Sequence, residues 1–184
     1  MAGLDPDDAA FAARVARLDP DALVRVREGR LWASLPIGAL AARESAGELP
    51  DAVYRAGDLS EGRIEPRPDA DWRGRLPAGR WETIEAVPAA DITAMDRQAA
   101  EALRQRRGQG IGDRRLRDVL LDHVALRVQH EGREYPVEFR LVVAVMRMRF
   151  VGDDPVRVLR AGRRVGLAAT YGAVWERERG LPLL

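Results

Sequence analysis

The side chains best suited to metal or acid–base chemistry are His123 and His130, with Asp118 and Asp122 upstream and Glu131 downstream. Imidazole and carboxylate groups together can hold a divalent ion or move a proton near neutral pH. The spacing works against that use. On a strand, an odd separation puts the two histidines on opposite faces, and it matches no compact motif whose His ligands meet on a helix face. The expectation is no metal site, no cofactor and no catalytic residue. Ser34, Ser45, Ser60, Thr83, Thr93 and Thr170 supply hydroxyls, but none stands in a G-x-S-x-G elbow, so any triad would have to be assembled by the fold. Asp153 and Asp154 precede Pro155 in a turn, and Glu82 and Glu85 lie along a strand, so neither carboxylate pair specifies acid–base work.

Composition removes further chemistry. The 184 residues include no Cys, no Lys and no Asn, and all 30 basic residues are Arg, against 29 acidic ones. Disulfides, thiolate nucleophiles, Fe–S clusters and cysteine-ligated zinc are excluded, as are lysine Schiff bases and the Walker-A phosphate loop. The composition reads as that of a GC-rich bacterial genome, so Arg abundance alone does not announce a ligand. The charge is segregated, however. Residues 1–103 hold 13 Arg and 19 acidic residues, whereas residues 104–184 hold 17 and 10.

The sharpest local feature lies in the basic half. Arg104, Arg106, Arg107, Arg114, Arg115 and Arg117 surround a glycine-rich turn that includes Gly110 and Gly112. Backbone N–H groups of such a turn at a helix N-terminus bind anions, and arginine adds bidentate phosphate contacts. The run GQGIGDRRLRDVLL resembles the helix-hairpin-helix DNA-binding motif, and the resemblance implies contact with nucleic acid there. The simpler reading is preferred: Gly108 ends one helix, Asp113 caps the next, and the arginines face water.

The elements that must position these residues follow from periodicity. Asp5, Pro6, Asp7 and Asp8 open a helix carrying Phe11, Val15 and Leu18 on one face. Residues 22–35 read as a hairpin about Arg27–Arg30, and Ile37–Arg43 as a third strand held to an edge or bulge by Pro36. Residues 46–79, rich in Gly, Pro and Asp, form a long connection pinned to the core by Trp72 and Leu76. RWETIEAV is a short strand, PAADITAMDRQAAEALRQRR a helix, and DRRLRDVLLDH a second helix with a Leu116, Val119, Leu120 stripe. A strand, a Glu131-Gly132 turn and a short return come next. Residues 136–150 fit a helix beginning at Pro136, although Val137, Phe139, Leu141, Val143 and Val145 also alternate as in a strand. A last hairpin turns at Ala161-Gly162.

The expected fold is α+β, a single compact domain over 1–184 with hairpins packed against three to four helices, its topology open. No basic segment followed by an apolar one opens the chain, and its most apolar stretch is broken by Glu138, Arg140, Arg147 and Arg149, which points to a soluble cytoplasmic protein without membrane contact. The leading functional expectation is a non-enzymatic binding or assembly module with a protein partner or a second copy of itself. Tyr171, Val174 and Trp175 before the apolar end offer a surface for self-association. Nucleic-acid binding through residues 104–117 is the first alternative. A small-molecule enzyme with 46–79 as lid and His123 as its first candidate group is the second.

Overall fold

A computed structural model describes residues 4–106 and 113–178. The first helix, α1 (Pro6–Leu18), starts as its sequence dictates: Asp5 accepts a 2.8 Å hydrogen bond from the Asp7 N–H, and Pro6 occupies the first turn. Phe11, Ala12 and Val15 form its buried face. The fully buried Asp8 carboxylate accepts from Ser45 Oγ at 2.6 Å and from the Ala46 N–H at 3.0 Å, which ties the helix to the loop at residues 45–47.

Strands β1 (Leu23–Arg27), β2 (Arg30–Leu35) and β3 (Ala39–Glu44) follow as a meander. Glu28 and Gly29, at φ 52° and 69°, give the β1–β2 turn the left-handed backbone that a two-residue hairpin requires. Strand β4 (Ala52–Arg55) pairs with the outer edge of β1 and leads into the single-turn helix α2 (Ala56–Ser60), packed on α1. The chain then crosses through a 3-10 turn (Asp69–Asp71) to β5 (Glu82–Val87). Helices α3 (Ala89–Arg106) and α4 (Asp113–Asp122) and the hairpin of β6 (Val124–His130) and β7 (Arg133–Glu138) come next. They are followed by α5 (Phe139–Arg147) and the meander β8 (Val156–Ala161), β9 (Arg164–Ala169), β10 (Gly172–Glu176).

Eight strands form one antiparallel sheet in the order β4-β1-β2-β3-β10-β9-β8-β5. One face buries Val24, Leu31, Ala33, Ala41, Val158, Leu167 and Val174 beneath α1 and α5. The rings of Phe11 and Phe150 stack over this core with centroids 6.3 Å apart. The opposite face carries Trp32, Leu40, Leu159 and Trp175, onto which the connection between α2 and β5 lays Trp72, Leu76 and Trp81. A period-two strand with both faces covered has few positions left for charge, which explains why β3 reads ALAAR rather than as an alternation.

The mixed helix and antiparallel-sheet expectation holds, with corrections. There are five α-helices among the described residues, where three to four were expected, because the 46–79 stretch contains α2 as well as β4. Strand β3 is central: Pro36 sits in the turn before it, where its missing N–H removes no ladder bond. The 136–150 segment is a helix from Phe139 onward, with Pro136 inside β7. On α4, Leu120 packs inward as expected, but Val119 points to solvent and Leu121 is buried in its place. Val174 and Trp175 are fully buried in β10, so of Tyr171, Val174 and Trp175 only Tyr171 is exposed; the apolar end at 181–184 lies outside the described residues.

Candidate functional site

Of the arginine and glycine residues singled out between 104 and 117, Arg107, Gly110 and Gly112 lie outside the described residues, as do the side chains of Arg106 and Arg114. Arg104 pairs with Glu101 one turn earlier at 2.6 Å, an exposed helix-surface ion pair. Arg115 and Arg117 stand exposed on α4. Arg117 borders a groove of about 350 Å³ where α3 and α4 lie against α5. Ala99 and Leu103 of α3, Leu120 of α4, and Val143 and Met146 of α5 give this groove an apolar lining, while Asp96, Arg117 and Arg147 bring charge to it. The Asp96 carboxyl is pushed above the usual carboxylate range by burial, with Arg147 opposing the shift.

His123 lies just before β6, outside the strand that holds His130, so strand alternation does not relate the two. His123 is exposed, and its carbonyl accepts from the Phe139 N–H at the start of α5. His130, at the end of β6, comes to rest beside β5, with Nε2 at 3.3 Å from Glu82 and 4.0 Å from Glu131. Three ligand atoms from Glu82, His130 and Glu131 fall within 4.8 Å of one another. A guanidinium already occupies the place a cation would take. Arg160 of β8 donates to Glu82 from Nη2 at 2.5 Å and from Nε at 3.0 Å, lies 3.6 Å from Glu131, and donates to Tyr135 Oη at 2.8 Å. Arg160 and then His130 hold the Glu82 carboxyl below its ordinary range, while Tyr135 and Glu82 raise the Arg160 guanidinium. This set joins β5, β8 and the β6–β7 hairpin; Arg160 lies against both carboxylates, while the buried His130 Nε2 makes no hydrogen bond among the described residues.

A second concavity, about 760 Å³, runs from the α1 end of the sheet across to the face opposite the helices. Its floor follows from the strand register. Ala42, Ala173 and Ala168 stand side by side on β3, β10 and β9, with Trp32 beyond one end of the row and Arg157 beyond the other. The three alanines are themselves almost fully buried and belong to the core on this face of the sheet. Trp81 walls the concavity, its ring edge-on to Trp32 at 5.8 Å and tilted against Trp175 at 4.7 Å, with the Arg30 guanidinium 4.2 Å from the Trp81 centroid. Arg14, Arg30, Arg43, Arg149 and Arg157 line it, against Asp7 and Glu44 as its carboxylates. Sequence reading does not group these seven residues, since they lie between positions 7 and 157 on five different segments.

A family model described as Domain of unknown function (DUF8185) matches residues 76–181. No curated protein matches the sequence. Among solved structures, the pol III beta protein of Caulobacter crescentus is 13% identical, with a TM-score of 0.54 over 96% of this chain and 66% of that one. The DNA polymerase III beta-subunit sliding clamp of Bartonella birtlesii, bound to griselimycin, is 11% identical, with a TM-score of 0.54 over 97% of this chain and 65% of that one. The beta clamp of Helicobacter pylori bound to a DNA ligase peptide is 9% identical, with a TM-score of 0.54 over 98% and 67%. The chain thus spans just under two thirds of the Caulobacter and Bartonella proteins, and at these identities the likeness is one of fold. No helix among the described residues is long and apolar enough to cross a membrane.

Proposed function

We propose that this chain, which belongs to the family described as Domain of unknown function (DUF8185), is a non-enzymatic cytoplasmic binding module that holds an apolar segment of a protein partner in the groove between α3, α4 and α5. The groove carries the reading: apolar side chains from three helices line one concavity with charges from Asp96, Arg117 and Arg147, the combination in which an apolar anchor supplies affinity and charged groups supply register. The sliding-clamp-like fold supports it at the level of architecture, since one protein of that fold is seen with a peptide bound. The test is a photo-crosslinking residue at Leu103 or Met146, with a control at Arg157 on the far side of the sheet. A partner captured from the groove positions alone should bind the purified chain in reconstitution and lose at least ten-fold in affinity with Val143→Glu. Equal capture at all positions, or reconstitution that ignores Val143→Glu, overturns the reading.

A second reading is nucleic-acid binding along Arg104–Arg117. It is favoured by the exposure of Arg115 and Arg117, neither within ion-pair distance of a carboxylate among the described residues. Phosphate contacts would make such binding fall steeply with salt. Duplex DNA titrated across a salt series should show a smaller slope for the Arg114→Ala/Arg115→Ala/Arg117→Ala variant, and absence of binding at low salt removes the reading.

A further inference from the structure

One end of the sheet gathers arginines on the face that the helices cover, in a concavity that shares no lining residue with the α3–α4–α5 groove. The packing of two rings sets the place. Phe11 of α1 stacks on Phe150 with centroids 6.3 Å apart, and Arg14 follows Phe11 by one helical turn while Arg149 immediately precedes Phe150. The Phe150 ring in turn rests on Gly172 at the start of β10, where a Cβ would come within 2.7 Å of the ring and 2.8 Å of the Ala42 carbonyl oxygen. Arg43 is the next residue on β3. Its place in the alternation, with Ala39 and Ala41, turns it to the helix face. Arg14, Arg43 and Arg149 therefore border the same end of the concavity, with Arg157 at the other.

The charges at this end do not balance. Arg43 is fixed: it lies 3.6 Å from the Asp7 carboxylate and donates to the Asp7 and Glu44 carbonyls at 2.9 and 3.1 Å. Glu44 itself pairs with Arg30, and the buried Asp8 accepts from Ser45 and Ala46. Arg14 and Arg149 have no carboxylate within ion-pair distance among the described residues, so three guanidinium groups share Asp7. Burial, and then the repulsion of Arg149 and Arg43, leaves the Arg14 guanidinium less firmly charged than an ordinary arginine, with Asp7 opposing the shift.

Arg149 also stands where the backbone calls for glycine. At the end of α5 its N–H donates to the Met146 carbonyl and the Phe150 N–H donates to the Val145 carbonyl, both at 3.0 Å. This pair of bonds closes a helix through one left-handed residue, and Arg149 is that residue, at φ 55°. Glycine takes the conformation freely, whereas a long side chain is strained in it. No ion pair of Arg149 among the described residues offsets that strain. An anion seated between Arg149 and Arg14 would, because it replaces their repulsion with two charge-assisted contacts.

We propose that Arg14, Arg43 and Arg149 form a binding site for a doubly charged tetrahedral oxyanion, either inorganic phosphate or the phosphate group of a small monoester. Arg14 and Arg149 are its ligands, and Arg43, anchored by Asp7, is the third wall. Two negative charges match the excess of guanidinium over carboxylate, and the planar fork of arginine meets two phosphate oxygens at once. The concavity continues past Thr170 and the exposed Tyr171, which leaves room for the rest of an ester.

Thermal melting and calorimetric titration of the whole chain at low salt test this, with inorganic phosphate, with glycerol phosphate, and with sodium chloride at matched ionic strength. Both phosphates should raise Tm at millimolar concentration where chloride does not, and the tighter of the two tells whether the site takes the free ion or an ester. Arg149→Gly suits the left-handed backbone, so without phosphate it should melt no lower than the wild type, yet its phosphate affinity should fall about ten-fold or more, the loss of one contact to a charged group. Arg14→Gln should lose as much, and Arg157→Ala should change nothing. No rise in Tm beyond that in chloride overturns the proposal. So does a rise that Arg149→Gly and Arg14→Gln keep in full, which is a general salt effect. Binding of a duplex oligonucleotide that Arg149→Gly abolishes and millimolar phosphate leaves intact overturns it in favour of nucleic acid.

Discussion

A Cβ at Gly166 would lie 2.7 Å from the Trp175 ring and 2.7 Å from the Val174 carbonyl oxygen, closer than side-chain carbons approach either. The glycine lets Trp175 lie flat across β9, so that Trp81 can pack over it. Gly166→Ala is therefore expected to lower stability by about 1–3 kcal/mol, the usual range for an overpacked core, visible as a lower urea midpoint with an unchanged slope. An unaffected midpoint would mean that Trp175 moves freely, contrary to its complete burial. Glu82 makes a pH prediction. Its carboxyl is depressed by Arg160 and then by His130, so its stabilising contribution is present above the unfolded carboxylate value of about 4.3 and is lost as pH falls through the lower folded value. The stability gap between the wild type and Glu82→Gln should accordingly narrow as acid denaturation is followed below about pH 4, and a gap that stays constant down to pH 2 would assign the effect to packing. Neither residue announces its role in the sequence. Glu82 looks like one of a carboxylate pair with Glu85, but its partners Arg160 and His130 come from strands whose pairing no local pattern fixes.

Among the elements, the connection between α2 and β5 shows both the reach and the limit of local reading. Its Gly, Pro and Asp content marks it as irregular, and Trp72 and Leu76 are its anchors as their isolation among polar residues implies. What it covers depends on the sheet, since its second set of ties runs to residues far along the chain. Arg164 donates to the Arg75 carbonyl at 2.8 Å, the Arg67 N–H donates to Val53 at 2.7 Å, and Arg25 pairs with Asp69 at 3.7 Å. Trp72→Ala/Leu76→Ala should thus speed amide hydrogen exchange selectively over residues 67–81 while the strands remain protected. Uniform loss of protection would mean that the connection is integral to the core. The hairpins, α1, α3 and α4 were legible because capping residues, turn glycines and apolar periodicity act within a few residues of one another. Helix α5 was ambiguous for a physical reason: it is buried on most of its surface, so its apolar residues satisfy both the 3.6 and the 2 repeat.

At the scale of the whole molecule, the order of elements contains a repetition that no residue-level pattern displays. The series α1, β1, β2, β3 is matched by α5, β8, β9, β10, with β4 flanking β1 as β5 flanks β8. The third strands of the two series pair antiparallel at the centre, Ala41 opposite Val174 and Ala39 opposite Glu176, and Phe11 of α1 stacks on Phe150 of the segment after α5. The β3–β10 seam therefore unites two four-stranded halves, each contiguous in sequence, with the α3–α4 pair and the β6–β7 hairpin inserted in the second. The halves are linked covalently only through residues that include the exposed stretch 61–70. Because strand pairing, two hydrophobic faces and the helix contact all cross the seam, cutting that stretch removes a tether without removing a contact layer. Limited trypsin digestion should cleave after Arg63 first, Arg67 being shielded by Pro68, and the two fragments should then co-elute at the mass of the intact chain with its far-UV spectrum retained. Separation of the fragments without denaturant would show that the connection, and not the β3–β10 seam, holds the halves together.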